Sequence, residues 1–201
     1  MRLVLASASP RRAELLSAAD FAFDIVPANT DETVRAGEQP RGYALRVARA
    51  KAEHVASLVS SDGVILGADT VVVSAGRLMG KPTDAADAES MLRGLSCVTH
   101  EVHTAVVVLG PGVRSEELVT TRVQFIALTD AEIAWYLSTR EWAGKAGAYG
   151  IQGRAARFIE RIDGSWSNVV GLPIATVYRL LNAACPAGRP GPRNTIDPAE
   201  R

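Results

Sequence analysis

The stretch LVLASASPRRAELL, Leu3–Leu16, decides the fold class. Leu3–Ala6 is a short apolar run suited to a buried strand. Ser9 then stands at an N-cap position and Pro10 at a first helical position, which predicts a helix over Arg11–Ala18. Outward from this strand–turn–helix the same alternation continues. "FDIVPANTDE" reads as a second strand leaving through Pro27 into a loop that carries Asp31 and Glu32. Pro40 opens a long alanine-rich helix, about Arg41 to Leu58, with Ala44, Val47, Ala48 and Val55 spaced for one buried face. "GVILGADTVVV" reads as two short apolar runs interrupted by Ala68-Asp69-Thr70, and "SAGR" as a hairpin turn before Leu78 and Met79. Thr83 or Asp84 caps a helix to about Leu95, and Thr129-Asp130 caps another through Leu137. Val102–Leu109, Leu118–Leu128 and Phe158–Ile162 read as strands, and Pro173–Ala184 as a closing amphipathic helix. Strands and helices mix throughout, so the expected fold is α/β, a mixed sheet with flanking helices. The Pro/Gly-rich residues 185–201 read as a disordered tail.

The bulk composition excludes several classes. At 201 residues, 47% hydrophobic and 22% charged, the chain can bury a core without disulfides or metals. With 22 basic and 22 acidic residues it has no broad basic field, which argues against a nucleic-acid binder but not against a small basic pocket. Cys97 and Cys185 lie far apart with no CxxC spacing, so neither a disulfide framework nor a zinc site is expected. No stretch approaches a membrane span, and the first apolar run is too short for a signal peptide, so a soluble cytoplasmic protein is expected.

Few residues remain that could carry chemistry. The Ser-Ala-Ser-Pro turn and helix start place backbone N–H groups beside Ser7, Ser9, Arg11 and Arg12. Two guanidinium forks there suit a phosphate chain, and they equally suit a solvated helix start. Asp69, flanked by Ala68 and Thr70 within apolar residues, is expensive to bury unless paired or bound to a metal. Its place at the end of an apolar run is where open α/β sheets present ligand groups. Glu32 offers a second carboxylate, and two carboxylates with a phosphate are usual surroundings for Mg²⁺. "GRLMGKP" is not a P-loop: three residues separate its glycines, and Pro82 follows Lys81. Lys51, taken alone, reads as a solvated lysine. His100 and His103 alternate to opposite faces of a strand and cannot share one metal. Ser165 and Ser167 lack a nucleophile elbow, and Cys97 reads as an inert, half-buried thiol.

Together these segments resemble the Maf family of nucleoside triphosphate pyrophosphatases. The matching blocks are "LASASPRRAELL", "DE" at 31–32, "ARAKA" at 48–52, "GADTVV", "GKPTDAADAESMLRGLS", "HEVHTAV", "KAGAYGIQG" and "GSWSNVVGLPI". "GADTVV" and "KAGAYGIQG" resemble the branch acting on dTTP and UTP rather than the branch that takes 7-methyl-GTP. The resemblance implies one catalytic domain over residues 1–184: an elongated α/β structure with a twisted sheet and two lobes around a cleft, similar to inosine triphosphate pyrophosphatases. It implies hydrolysis between the α- and β-phosphates with a divalent metal, Mg²⁺ or Mn²⁺. It assigns Asp69 as general base, with Glu32, Ser7, Arg11, Lys51 and Lys81 completing the catalytic and phosphate-binding set and Arg12, Thr70 and Gln152 at specificity positions. Glu32 and Asp69 would ligate the metal and could exchange the roles of base and ligand. A homodimer is implied, with a small-molecule nucleotide as the partner. The alternative implied by the family is a nucleotide-binding regulator of septum formation with little turnover; a third reading widens the substrates to CTP or modified pyrimidine nucleotides, a house-cleaning activity.

Three residues depart from the family pattern. Cys97 stands where glycine is common, Gly144 where aspartate is frequent, and Trp166 where tyrosine is frequent. They bear on loop geometry, and none is assigned a catalytic role.

Overall fold

A computed structural model describes residues 2–59 and 63–184. The expected tail, 185–201, lies outside the described residues. β1 (Arg2–Leu5) turns into α1 (Pro10–Ala18), and β2 (Asp24–Ile25) is followed by a long loop and α2 (Pro40–Ala56). β3 (Gly63–Ser74) forms a hairpin with β4 (Arg77–Met79), and α3 (Ala85–Leu95) leads to the long pair β5 (Thr99–Gly110) and β6 (Val113–Phe125). α4 (Asp130–Ser138), two short helical turns, β7 (Ile159–Asp163), α5 (Trp166–Val170) and α6 (Ile174–Ala184) complete the chain. The fold is α/β: one seven-stranded mixed sheet, ordered β2-β1-β3-β5-β6-β7 with β4 also on β3, flanked by helices. Among the described residues no helix is long and apolar enough to cross a membrane.

The order around β1 creates the functional region. β2 and β3 both run parallel to β1, one on each side, so the winding direction reverses there. The two crossover helices accordingly cover opposite faces. Leu15 and Leu16 of α1 pack with Leu3, Leu5, Val64 and Leu66, whereas Ala44, Val47, Ala48 and Ala52 of α2 pack with Val4, Ala6 and Ile65. Such a reversal leaves a crevice beyond the carboxyl ends of the strands.

β3 corrects the sequence reading. It is one continuous 12-residue strand, not two runs broken at Ala68-Asp69-Thr70, and Asp69 lies inside it rather than at an end. The reason is β5, which pairs antiparallel with β3 from Ile65 to Val73, with Asp69 opposite Ala105 and Thr70 opposite Thr104. The other edge of β3 is shared. β1 pairs with Gly63–Leu66 and β4 with Val72–Ser74. Between them Gly67–Val71 has no strand partner on that edge among the described residues, and the crevice opens there.

Other boundaries moved for local reasons. β5 and β6 start earlier than hydrophobicity suggests, because a tight turn at Gly112, with φ +70°, brings them into register from Gly110↔Val113 onward. β6 therefore ends at Phe125 and not near Leu128. α5 was not expected: five residues carry no readable period, and Ser165 caps it by accepting from the Asn168 N–H. That accounts for one serine of "DGSWSN"; Ser167 Oγ accepts from the Ile174 N–H.

Candidate active site

A cleft of about 640 Å³ occupies the gap beside β3. All nine singled-out residues line it: Ser7, Arg11, Arg12, Glu32, Lys51, Asp69, Thr70, Lys81 and Gln152.

Lys51 comes from α2. It is buried, which corrects the solvated reading. The signal was in the spacing, because Lys51 falls four residues after Val47 and four before Val55 on the buried stripe of α2. Close packing delivers it. A Cβ on Gly67 would sit 2.5 Å from the Ala48 carbonyl oxygen and 2.8 Å from Ala52 Cβ, so α2 lies directly against the β3 backbone there. Lys51 Nζ then reaches Asp69 Oδ1 at 2.8 Å and Glu32 Oε1 at 2.7 Å. Lys81 stands further off, 3.8 Å from Glu32 Oε2, and is largely exposed.

Glu32 sits in the β2–α2 loop, which has no regular structure of its own. Tyr43 donates its hydroxyl to the Glu32 carbonyl, and Arg46 reaches the Thr33 carbonyl and the Glu38 carboxylate. Burial opposes ionisation of Glu32, but the Lys51 hydrogen bond and charge, then Lys81 and Arg12, outweigh it and hold the carboxyl below its ordinary value. The same burial, with the charges of Asp69 and Glu32, pushes the Tyr43 phenol up to about 12. Tyr43 was not singled out from sequence; one aromatic on a helix face carries no distinguishing pattern.

Thr70 and Asp69 point to opposite faces because strand side chains alternate. On the Thr70 face Arg12 is buried, with Nη1 donating to Ser7 Oγ at 3.0 Å, Nη2 to Thr70 Oγ1 at 3.1 Å and Nε to the Gly171 carbonyl at 2.9 Å. All three acceptors are neutral. Burial lowers the Arg12 value, with the charges of Asp69 and Glu32 opposing the fall. The polar layer continues from Thr70 to Thr104 at 3.0 Å and from Thr104 to the Asn168 carbonyl at 3.0 Å. Asn168, fully buried, donates to the Val102 carbonyl and to Thr121.

Ser7 Oγ accepts from both Arg12 and the Ser9 N–H. Two acceptor lone pairs are thereby used, and the hydroxyl proton is left to donate into the cleft. Ser9 occupies the N-cap of α1 yet makes no side-chain capping bond. The first turn of α1 lines the cleft with no side-chain cap on its N–H groups, an arrangement suited to an anion.

On the far wall Gly147, at φ +67°, donates its N–H to the Gly80 carbonyl and ties the glycine-rich loop to the segment carrying Lys81. Gln152 is exposed on that loop, whereas Arg12 and Thr70 are hydrogen-bonded to each other. Lys145, at the start of the same loop, also lines the cleft and was not singled out. It is the one charged residue of "KAGAYGIQG", which was the available signal.

The histidines are structural. His100 Nε2 lies 2.8 Å from the Tyr149 hydroxyl, and burial lowers its value to about 4. His103 Nδ1 meets Thr120 Oγ1 at 2.8 Å on the face toward α2. Cys97 is exposed, not half-buried, because its φ of +58° turns the side chain outward. Among the described residues no three His, Cys, Asp or Glu side chains form a metal-binding group.

Fold and cleft define an α/β protein with two carboxylates paired on a buried ammonium and an uncapped helix start in one crevice. Residues 2–184 match the model of the Maf-like protein family, and the chain belongs to that family. It is 52% identical to the dTTP/UTP pyrophosphatase of Koribacter versatilis over 184 residues, covering 92% of this chain and 95% of that protein. It is 52% identical to the dTTP/UTP pyrophosphatase of Anaeromyxobacter dehalogenans over 187 residues (91% and 94%), and 47% identical to that of Shewanella oneidensis over 191 residues (92% and 98%). Among solved structures, the Ham1 protein of Staphylococcus aureus aligns with a TM-score of 0.41 and 15% identity, covering 62% of this chain and 72% of that one.

Proposed function

We propose that the protein hydrolyses dTTP and UTP to the nucleoside monophosphate and pyrophosphate. The observation that carries this reading is the pairing of Asp69 and Glu32 on one buried ammonium, Lys51, in the same cleft as the α1 N-terminus. The relatives named dTTP/UTP pyrophosphatase support the choice of nucleotide.

In this reading the polyphosphate lies across Ser7, Arg11 and the α1 N-terminus, with Lys81 reaching from the opposite loop. Lys51 fixes Asp69 by donating to Oδ1, and Asp69 Oδ2 takes a proton from the attacking water. A triphosphate brings about four negative charges near neutral pH, so catalysis is chiefly charge neutralisation and positioning. The donor set suits a divalent cation, Mg²⁺ or Mn²⁺: two carboxylates sharing a pocket, with substrate phosphates and water as the remaining oxygen ligands. Glu32 and Asp69 would hold it, and it would screen the phosphates and the leaving pyrophosphate. Gln152 presents a donor and an acceptor together, matching the N3–H and carbonyl edge of uracil or thymine. Arg12 and Thr70 act on specificity from beneath, by fixing Ser7 and the Gly171 carbonyl.

Pyrophosphate release measured across canonical and modified nucleotides tests the reading. Turnover of dTTP and UTP that requires the cation and is lost in Asp69→Asn is expected. Gln152→Glu should impair UTP selectively. Nucleotide binding without turnover on the whole panel would replace the enzyme with a nucleotide-binding regulator.

A further inference from the structure

The charges of the cleft divide into two groups that behave differently toward an incoming anion. The first is closed on itself. Lys51 and Lys81 face Glu32 and Asp69, two ammonium groups against two carboxylates, so without a bound cation the side chains of this cluster balance one another. Arg12 is committed as well, buried with three hydrogen bonds to neutral oxygens.

The second group is open. Arg11 and Lys145 both line the cleft, and among the described residues neither pairs with a carboxylate. Glu141 is the acid nearest Lys145 in sequence, but its carboxylate is engaged elsewhere, accepting from the Arg154 N–H at 2.7 Å and from Arg154 Nη1 at 2.8 Å. Lys145 Nζ donates instead to the Glu141 backbone carbonyl. Its stem is backed by Gly150, where a Cβ would stand 2.8 Å from Lys145 Cε and 2.9 Å from Cδ. Glycine at 150 is thus what lets the loop close on the lysine and hold it in place. Burial and the like charge of Arg11 both lower the Lys145 value, with Glu141 opposing, so the two cations feel each other across the cleft. Two cations held together without an anion disfavour one another until an anion arrives.

We propose that Lys145 is a phosphate-binding residue which, with Arg11, supplies the side-chain positive charge not already balanced by a carboxylate, and so helps hold the substrate's polyphosphate. This rests on the pyrophosphatase reading for its substrate, and it adds a residue to the binding set. Lys145 donates to phosphate oxygens while keeping its carbonyl contact, since an ammonium has three protons. The glycine-rich loop then has two tasks, because the loop that presents Gln152 to the base also presents Lys145 to the phosphates.

The test uses the full chain with Lys145→Met, which keeps the packed stem and removes the charge, and Lys145→Arg, which restores a cation. Inorganic tripolyphosphate is the probe, titrated by calorimetry, with thermal unfolding measured without ligand. Loss of one charge-assisted contact predicts about tenfold weaker tripolyphosphate binding in Lys145→Met. Lys145→Arg should recover much of it, and both variants should unfold near the wild-type temperature. Unchanged tripolyphosphate affinity in Lys145→Met would overturn the proposal. So would a weakened affinity that Lys145→Arg does not recover and that comes with a lowered unfolding temperature, which would mark a structural lysine. If the wild type binds tripolyphosphate but releases no pyrophosphate from dTTP or UTP, the pyrophosphatase reading fails, and the comparison of variants still decides the role of Lys145.

Discussion

Replacing Lys51 by methionine removes one ammonium while nearly preserving side-chain volume, so the variant isolates charge. Lys51 Nζ lies 2.8 Å from Asp69 Oδ1, and the two side chains are only 9% and 10% exposed. Without Lys51, Asp69 becomes a buried carboxylate with no direct cation, and breaking such a pair from one side costs about 3–5 kcal/mol. The Glu32 contact adds little: that side chain is 40% exposed, and solvent reduces such pairs to about 1 kcal/mol or less. One ammonium serves both carboxylates, so the terms do not simply add, and a loss of about 3–4 kcal/mol at neutral pH is expected. The sign of the pH dependence follows from Glu32, whose folded carboxyl lies below its ordinary 4.5. Its contribution is present above the unfolded value and is lost as pH falls through the folded value. The wild type therefore loses stability on acidification that the variant never had, while protonation relieves the variant's stranded carboxylates. Urea unfolding of both proteins at pH 7 and near pH 4 reads the difference directly. A deficit below about 1 kcal/mol at pH 7, where solvent-screened pairs fall, would refute the buried-pair argument. So would a deficit undiminished in acid.

Arg11→Ala should cut turnover on every nucleotide while leaving the unfolding temperature unchanged, whereas Arg12→Ala removes three buried hydrogen bonds, to Ser7, Thr70 and the Gly171 carbonyl, and should cost about 2 kcal/mol or more of stability; paired kinetics and calorimetry on both variants separate the two effects. Gly67→Ala forces α2 away from β3, where its Cβ would meet the Ala48 carbonyl at 2.5 Å, and should cost about 1–3 kcal/mol together with activity, because Lys51 rides on that helix turn. His100 titrates at about 4 in the folded protein against 6.5 unfolded, so the folded state binds fewer protons and stability falls by up to about 3 kcal/mol as pH drops from 6.5 toward 4; His100→Gln should flatten that segment of the stability profile. Cys97→Gly relieves a left-handed backbone at φ +58° and should raise stability by about 1 kcal/mol, read as an increased unfolding temperature.

Much of the architecture was legible because it depends on local signals. Pro10 and Pro40 start α1 and α2, "SAGR" turns the β3–β4 hairpin, and Thr129 with Glu132 forms the capping box of α4. What escaped was decided by distant partners. The continuity of β3 through Asp69 depends on β5, and burial of Lys51 depends on two carboxylates that arrive from a loop and from a strand. The glycine that the family resemblance leads one to expect at position 97 would suit a backbone angle that disfavours side chains. Arg11 and Arg12, adjacent in sequence and identical in chemistry, could not be told apart locally. One helical step separates a residue facing the cleft from one buried under it.

The stretch Leu3–Leu16 does more than supply cleft residues. Had β1 continued past Leu5 beside β3, its residues would have paired with Gly67–Val71, and the edge of β3 that exposes Asp69 and Thr70 together would be closed. The Ser-Ala-Ser-Pro turn stops it: Ala6 still donates to the Leu66 carbonyl, Ser7 turns its hydroxyl to Arg12, and Pro10 begins the helix. Ending the strand opens the gap in the sheet, and the same turn lines that gap with Ser7, Arg11 and the uncapped helix start. Asp69 and Thr70, on opposite faces of β3, reach one cleft because the gap cuts through the sheet's edge. Extending β1 pairing would therefore abolish the site without touching Asp69, Glu32 or Lys51. The position of the turn in sequence is thus what makes the cleft possible, before any residue that lines it.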